Sequence, residues 1–380
     1  MQFTTGSYEQ KLLILYFRLG IHFAGSIMKI SPITKFRIMN RVSVIKNFSI
    51  ITGRNKRLIP YDVVNRAISY KLLFFIPIFG LLLFLVSCGG MGKTATNETP
   101  TRGNIRILSD ESFQPLIETE VFTFTHLYKG AKIKPLYKPE FDVINDFMKD
   151  SVKVIVTSKK LSDYQIQYLR DTQIIARTTT YAYDALALIT NLDNKDSLIK
   201  YNSVKDIFLG KIKTWKEVNE KSKLGDISII FDNNKSGNIR YFKELFDIKD
   251  SLGRNFYAVN NNAEVINFVA RNPDALGIIS VNWISDKDDS LSMSFIKKIN
   301  VVAVSQQYVN DGSYYRPQQG FIYDKEYPFV REIYLISRET FSGLGSGFIN
   351  WACGEQGQHV VLKSGLVPAT MPIRLVQIKH

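Results

Sequence analysis

The sequence has few of the residues on which cross-linked folds and metal centres depend. Its 380 residues include two cysteines, Cys88 and Cys353, which cannot form a disulfide framework. The four histidines lie far apart along the chain and have no spacing typical of zinc ligands. The sequence therefore predicts neither a disulfide scaffold nor a metal site, and nothing in it indicates a cofactor.

Acidic residues are scarce in the first part of the chain, and this scarcity accounts for most of the net charge of +14. Residues 1–71 contain twelve Lys and Arg but only two acids, while the rest contains 37 basic and 33 acidic residues. The remainder is thus nearly balanced, and no basic stripe with interleaved aromatic residues stands out in it. These features exclude nucleic acid as an expected partner.

Long apolar runs are also missing from residues 1–62, which contain no stretch that could span a bilayer. We expect the basic region 1–71 to be absent from the mature protein, with a cytoplasmic basic arm as the alternative. Residues 72–86 form one uncharged run, LLFFIPIFGLLLFLV, preceded by Arg66 and Lys71. A basic lead, an apolar run of this length and small residues after it are typical of a secretory signal.

The signal segment, residues 72–88, ends in Leu-Val-Ser-Cys, which resembles a bacterial lipobox. This resemblance implies that Cys88 is lipidated and becomes the new N-terminus. An uncleaved anchor with a chance cysteine is the alternative. Residues 89–103, rich in Gly, Thr and Asn, then form a flexible tether. In both cases we expect an exported protein, held at a bacterial membrane and facing the periplasm or the exterior.

From Asn104 onward, short apolar strands alternate with helical patterns. Strands are predicted at 104–108, 132–137 and 153–156, with helices at 113–128 and 141–148. This alternation predicts an α/β fold with an open, mostly parallel sheet. Ligands of such sheets bind beyond the carboxyl ends of the strands. Two polar loops follow strands of this region, at 109–112 and 157–159.

The later part of the chain continues the pattern. A buried strand is predicted at 181–191, and it contains Asp184 beside an apolar run. A glycine-rich turn is predicted at 343–347 before a helix at 348–353, and a last strand is predicted at 374–378.

A short buried strand is predicted at 228–231, and the stretch FDNNKSGNIRYFKELF, residues 231–246, continues it with a turn and a helix start. Ser236, Gly237 and Asn238 open the helix, where main-chain N–H groups have no partner within the helix. Together with the helix dipole, these donors can bind an anion. The alternative is an ordinary capped helix.

Several motifs carry a resemblance to a known family. They are ILSDESFQPLI, VIVTSKKL, YDALALITN, VKDIFLGKIKTW, KSGNIRYF, ALGIIS, YPFVREIYLI and GEQGQHVVLKSGLVP. In this order, the chain from 104 to 380 resembles the Pst-type substrate-binding proteins of phosphate ABC transporters, which are type II periplasmic binding proteins. The resemblance implies two α/β lobes joined by two hinge crossovers. Lobe I would comprise 104–181 and 320–380, and lobe II would comprise 182–319.

The resemblance also implies which residues hold the ligand. Hydroxyls would come from two loops, the main-chain amides from the SG turn, and a carboxylate would accept a hydrogen bond from protonated phosphate. The corresponding positions are Ser112, Ser158, Asp184, Ser236, Gly237 and Asn238.

The chain departs from the family pattern around the SG turn, where Asn238 stands in place of the usual threonine and a more serious change lies four residues before Ser236. Asp232 stands where the family usually has an arginine, so a bidentate donor is replaced by an acid. We expect Lys159 to supply the missing positive charge, because it follows a strand end that faces the cleft. Lys235 and Arg240 are the alternatives.

These observations predict an exported, lipid-anchored protein that captures a small oxyanion, phosphate first, and passes it to the permease of an ABC importer without performing chemistry. An envelope sensor or surface protein of the same fold with another ligand is one alternative. A serine hydrolase is the other, but Ser346 lies in GLGSG, which is not the nucleophile elbow of such enzymes.

Overall fold

The computed structural model describes residues 98–309 and 311–372. The predicted signal segment, the predicted lipidation site Cys88 and the strand predicted at 374–378 lie outside these residues. The described strands are β1 Gly103–Asp110, β2 Ala131–Lys138, β3 Val154–Thr157, β4 Arg177–Asn191, β5 Leu198–Ile199, β6 Ser228–Phe231, β7 Phe256–Ala258, β8 Ala275–Ser280, β9 Ile299–Val301, β10 Ala303–Val304, β11 Val330–Ser337 and β12 Val367–Pro368.

Helices separate most of these strands. They are α1 Gln114–Leu127, α2 Glu140–Met148, α3 Asp163–Asp171, α4 Tyr201–Phe208, α5 Trp215–Val218, α6 Gly237–Leu245, α7 Asn262–Val269, α8 Ser290–Ile296, α9 Gln319–Tyr323, α10 Leu344–Ala352 and α11 Glu355–Lys363. Two 3₁₀ turns, Glu111–Phe113 and Val281–Trp283, follow β1 and β8. Within the described part of the chain, no helix has the length and apolar character needed to cross a bilayer.

The sheet follows the order β2-β1-β3-β11-β4-β8-β6-β7, and β9 and β12 also pair with β4. Strand β1 is parallel to both β2 and β3, and β6 is parallel to both β7 and β8. Strand β4 runs antiparallel to its neighbours β11 and β8. Two parallel groups of strands are therefore joined through the antiparallel pair β11 and β4.

Strand β4 changes partners along its length. Its first part, through Ala185, pairs with β11, and its second part, from Leu186, pairs with β8. Residues 185–189, Ala-Leu-Ala-Leu-Ile, are fully buried, as expected for a central strand covered on both faces. The predicted two-lobed α/β fold is confirmed, because only β4 and β11 connect the two groups of strands in the sheet. The exact lobe bounds stay a prediction.

An aromatic cluster fixes helix α6 on the sheet. The ring of Phe242 lies 4.6 Å from that of Phe208 and 4.9 Å from that of Phe329, between ring centroids. All three side chains are buried. Tertiary packing of this kind, more than helix propensity, stabilises a nine-residue helix. The packing thereby sets the position of the SG turn at the start of the helix.

The prediction of a glycine-rich turn at 343–347 is wrong, because most of these residues are helical. Helix α10 begins at Leu344 and contains Gly345 and Gly347. A Cβ at Gly347 would lie 1.9 Å from the carbonyl oxygen of Pro100. Gly347 therefore lets the backbone at Pro100 pass close to the helix. From sequence alone, a glycine with this role cannot be distinguished from a glycine in a turn.

Candidate functional site

Loops from both lobes meet around the start of helix α6. Ser112, in the turn after β1, donates from Oγ to Asn238 Oδ1 at 3.0 Å. A Cβ added at Gly237 would lie 2.6 Å from Asp110 Oδ2 and 2.9 Å from Ser158 Oγ. A larger residue at this position would push these side-chain ends away from the helix start. The structure thus brings the loops after β1, β3 and β6 together, as predicted from their place at the carboxyl ends of strands.

Ser236 is the N-cap of helix α6. Its Oγ accepts from Ile239 N at 3.4 Å and donates to Asp232 Oδ1 at 2.7 Å. Gly237 and Asn238 follow as buried residues of the first turn. Main-chain N–H groups in a first turn have no acceptor within the helix, so they remain donors for a ligand. The predicted helix start is confirmed, and the Ser236 hydroxyl is already used within the protein.

Asp184 is fully buried and forms an ion pair with Arg331, its neighbour on β11. Its Oδ1 accepts from Ser280 Oγ at 2.9 Å, and its Oδ2 accepts from Arg331 Nε at 2.9 Å. Burial raises the pKa of Asp184, and the charge of Arg331 opposes this rise. The predicted ligand residue Asp184 is thus satisfied by protein donors.

Arg331 is the functional candidate that sequence reasoning missed. Its guanidinium lies 4.8 Å from the Phe113 ring, in the turn that carries Ser112, and is buried. The Nη1 nitrogen has no hydrogen-bond partner among residues 98–309 and 311–372. A buried guanidinium with a free donor attracts an anionic or hydrogen-bond-accepting ligand. The available signal was a charge inside the apolar strand VREIYLI.

Three further carboxyl groups surround the helix start. Burial raises the pKa of Asp110 and that of Glu111 to about 8, and the pKa of Asp232 to about 6. Asp110 Oδ2 has no hydrogen-bond partner in the described structure. These raised pKa values favour the protonated forms of Asp110 and Glu111 near neutral pH, and a protonated carboxyl group can donate a hydrogen bond. The site carries less negative charge than its composition suggests.

The candidates for the missing positive charge are placed differently. Lys159 Nζ lies 3.0 Å from Glu244 Oε1, and its side chain is 45% exposed. Lys235 Nζ lies 3.0 Å from Asp142 Oδ1, also at the surface. Arg240 Nη2, in contrast, donates to Ser158 Oγ at 2.9 Å. Among the three, only Arg240 donates from its side chain to a predicted ligand residue, Ser158. Lys159, which we expected to supply the charge, forms an ion pair with Glu244 at the surface.

In the described ranges, no group of three or more His, Cys, Asp or Glu side chains could hold a metal ion. The donors still available to a ligand are the first-turn amides of helix α6 and Nη1 of Arg331, because the predicted serine hydroxyls donate to protein acceptors. This donor set suits an oxyanion.

Comparisons with known proteins identify the family of this chain. The sequence profile described as "PBP superfamily domain" matches residues 94–356. The phosphate-binding protein PstS of Staphylococcus epidermidis is 24% identical over 253 residues, which cover 66% of this chain and 77% of that protein.

Solved structures show the same fold. A protein assigned as a phosphate ABC transporter substrate-binding protein, from Clostridium perfringens with bound phosphate, superposes with a TM-score of 0.59 at 23% identity, covering 70% of this chain and all of that one. An ABC-type phosphate transport receptor from Vibrio cholerae gives a TM-score of 0.54 at 17% identity, with the same coverage. At these identities the likeness concerns the fold alone.

Proposed function

The chain belongs to the PBP superfamily, and from this premise we propose that it is an exported, lipid-anchored solute-binding protein. It captures a small oxyanion, phosphate first, and delivers it to the permease of an ABC importer. The names of its relatives, which are phosphate-binding and phosphate-transport proteins, support this choice of ligand. The protein binds and releases its ligand without chemistry and without a cofactor.

One observation carries the proposal: buried donors from both lobes converge at the start of helix α6. The first-turn amides of Gly237 and Asn238 have no acceptor within the helix. The Nη1 donor of Arg331 has no hydrogen-bond partner in the described structure. Buried polar groups without partners cost free energy, and a bound oxyanion would satisfy them. Their position between two lobes suits a ligand that is enclosed on closure.

The alternative is an envelope sensor or surface binding protein with a different ligand. The carboxyl group of Asp232 favours it, because burial raises its pKa only to about 6. Its ionised form would repel a dianion. A ligand with several hydrogen-bond donors would be preferred in that case.

The two candidates are separated by titration calorimetry and thermal unfolding of the purified protein with phosphate, sulfate, molybdate and small organic acids. The proposal expects saturable phosphate binding and stabilisation of about 2.7 kcal/mol at a hundredfold excess over Kd. Stabilisation by another solute but not by phosphate would favour the alternative. Loss of phosphate uptake in cells that lack the protein would test the link to a transporter.

A further inference from the structure

The carboxylate of Glu140 is held by a full set of anion-binding donors. Its Oε1 accepts from Thr157 Oγ1 at 2.9 Å, from Ser158 N at 2.9 Å and from Ser158 Oγ at 2.6 Å. Arg240 donates from Nε to Oε2 and from Nη2 to Oε1. Glu140 is 2% exposed, so these bonds are not shared with bulk water. An internal anion thus occupies donors from the loop after β3 and from helix α6.

This donor set is suited to an oxyanion. It combines a main-chain N–H, two hydroxyls and a guanidinium that donates from two nitrogens. Donors of these kinds recognise carboxylate and phosphate oxygens. One of the hydroxyls belongs to Ser158, which the family resemblance predicts to bind the ligand. The side chain of Glu140 therefore uses hydrogen bonds that a bound oxyanion would also use.

Glu140 is charged at neutral pH. Burial raises its pKa, but the charge of Arg240 and the hydrogen bonds from Arg240 and Ser158 outweigh that effect and hold the pKa below its usual value. The negative charge of Glu140 in turn contributes to the raised pKa of Asp110. A second anion that entered beside Glu140 would meet this charge in a buried setting, where repulsion is strong.

A groove between helices α2 and α6 reaches one side of this cluster of residues. Glu140, Ser236 and Arg240 line the groove, whose volume is about 950 Å³. Lys159 and Lys235 lie along it and form ion pairs with Glu244 and Asp142, respectively. An anion in solution can therefore approach Arg240 without passing through the core.

We propose that Glu140 is a built-in anion that occupies an oxyanion subsite formed by Thr157, Ser158 and Arg240. It determines specificity, because a solute oxyanion must displace this carboxylate to gain the same donors. The choice of phosphate as the probe rests on the proposed function. The existence of the subsite does not.

The first test compares phosphate affinity in the wild type and in two variants by titration calorimetry at pH 7. Glu140→Gln keeps the size of the side chain and removes its charge, so phosphate should bind about tenfold more tightly. Asp142→Asn is the matched control. Asp142 lies on the same helix as Glu140 and pairs with Lys235 across the groove. Its replacement also removes one acid, but phosphate affinity should stay unchanged.

The second test does not depend on the natural solute. Glu140→Ala removes the carboxylate and leaves its donors unpaired, so acetate or formate should fill the space and raise the melting temperature of this variant in a saturable way. The same anions should not stabilise the wild type. Should Glu140→Ala fail to fold, the Glu140→Gln titration alone tests the proposal.

The outcomes separate the two proposals. If the wild type binds phosphate and Glu140→Gln binds it no more tightly, the subsite is overturned and the proposed function stands. If phosphate binds neither protein but acetate stabilises Glu140→Ala alone, the subsite is supported and phosphate is overturned as the ligand. If neither acetate nor formate stabilises the folded Glu140→Ala variant, the subsite is overturned.

Discussion

Asp184 and Arg331 form an ion pair whose side chains are 0% and 3% exposed. Arg331→Met leaves Asp184 as a buried charge without its partner, and we expect the free energy of unfolding to fall by about 3–5 kcal/mol. The double variant Asp184→Asn with Arg331→Met removes both charges, so part of that loss should be recovered. Urea denaturation of the wild type, both single variants and the double variant measures the coupling directly.

A double variant no more stable than Arg331→Met alone would contradict this account. The loss would then come from packing against Phe113 and not from an unpaired charge. Phosphate titration of the folded variants adds a second readout, since only the wild type and Asp184→Asn keep the free Nη1 donor.

Asp110 makes the stability of the protein depend on pH. Burial, together with the charge of Glu140, raises its pKa from 3.8 to about 8. Between these values the folded state keeps a proton that the unfolded state has lost, so the free energy of unfolding falls as pH rises. One such group contributes a slope of about 1.4 kcal/mol per pH unit. Glu111, whose pKa burial raises to about 8, acts in the same direction.

We therefore expect the protein to be more stable at the acid end of the range from pH 5 to pH 8 that both groups cover. Asp110→Asn keeps the Oδ1 acceptor for Ser112 N and removes the titrating group. Its stability should change less with pH than that of the wild type. Urea denaturation at several pH values checks this, and equal slopes for the two proteins would exclude Asp110 as the cause.

At the scale of one element, helix α6 combines a structural cap with a ligand site. Ser236→Ala removes the cap of this helix and the donor to Asp232. We expect a loss of about 1 kcal/mol in unfolding free energy. We also expect phosphate binding to weaken about tenfold or more, because an acid at the site loses its donor.

Thr214→Ala provides the control for this prediction. Thr214 caps helix α5 through Glu217 N and belongs to an exposed capping box. Its loss should cost similar stability and leave phosphate affinity unchanged. Equal affinities for Ser236→Ala and the wild type would mean that Ser236 acts only as a cap.

Local features of the sequence predicted the elements around the site. Strand β6 was predicted from its short apolar run, and the start of α6 from the turn residues before Ser236, because both signals lie within a few residues. Arg331 and Glu140 could not be found in this way. Their partners Asp184 and Arg240 lie 147 and 100 residues away along the chain. Only the folded sheet shows that these charges meet.

At the scale of the whole molecule, the order of motifs predicted the two-lobed fold, because each motif marks a strand end or a helix that the fold requires. The electrostatics of the cleft did not follow from that order. Asp232 suggested a missing positive charge, and the folded chain places Arg240 and Arg331 near the predicted hydroxyls while Lys159 pairs with Glu244. The hydroxyls of Ser112, Ser158 and Ser236 also donate to protein acceptors. Protein acceptors thus compete with a ligand for these hydroxyls, and this competition can be recognised only in the folded structure.

In the proposed function, the location of the whole protein depends on Cys88, which lies outside the described residues and ends the motif LVSC. Since only its thiol can accept the lipid, Cys88→Ala should shift the protein from the membrane fraction to the soluble fraction or leave an unprocessed precursor. Cys353→Ala is the matched control, because burial raises the pKa of the Cys353 thiol to about 11 and makes it a poor nucleophile. Fractionation and mass spectrometry of the mature N-terminus measure both variants. An unlipidated wild-type N-terminus upstream of Cys88 would contradict the anchor, and equal membrane association of the wild type and Cys88→Ala would place the attachment elsewhere.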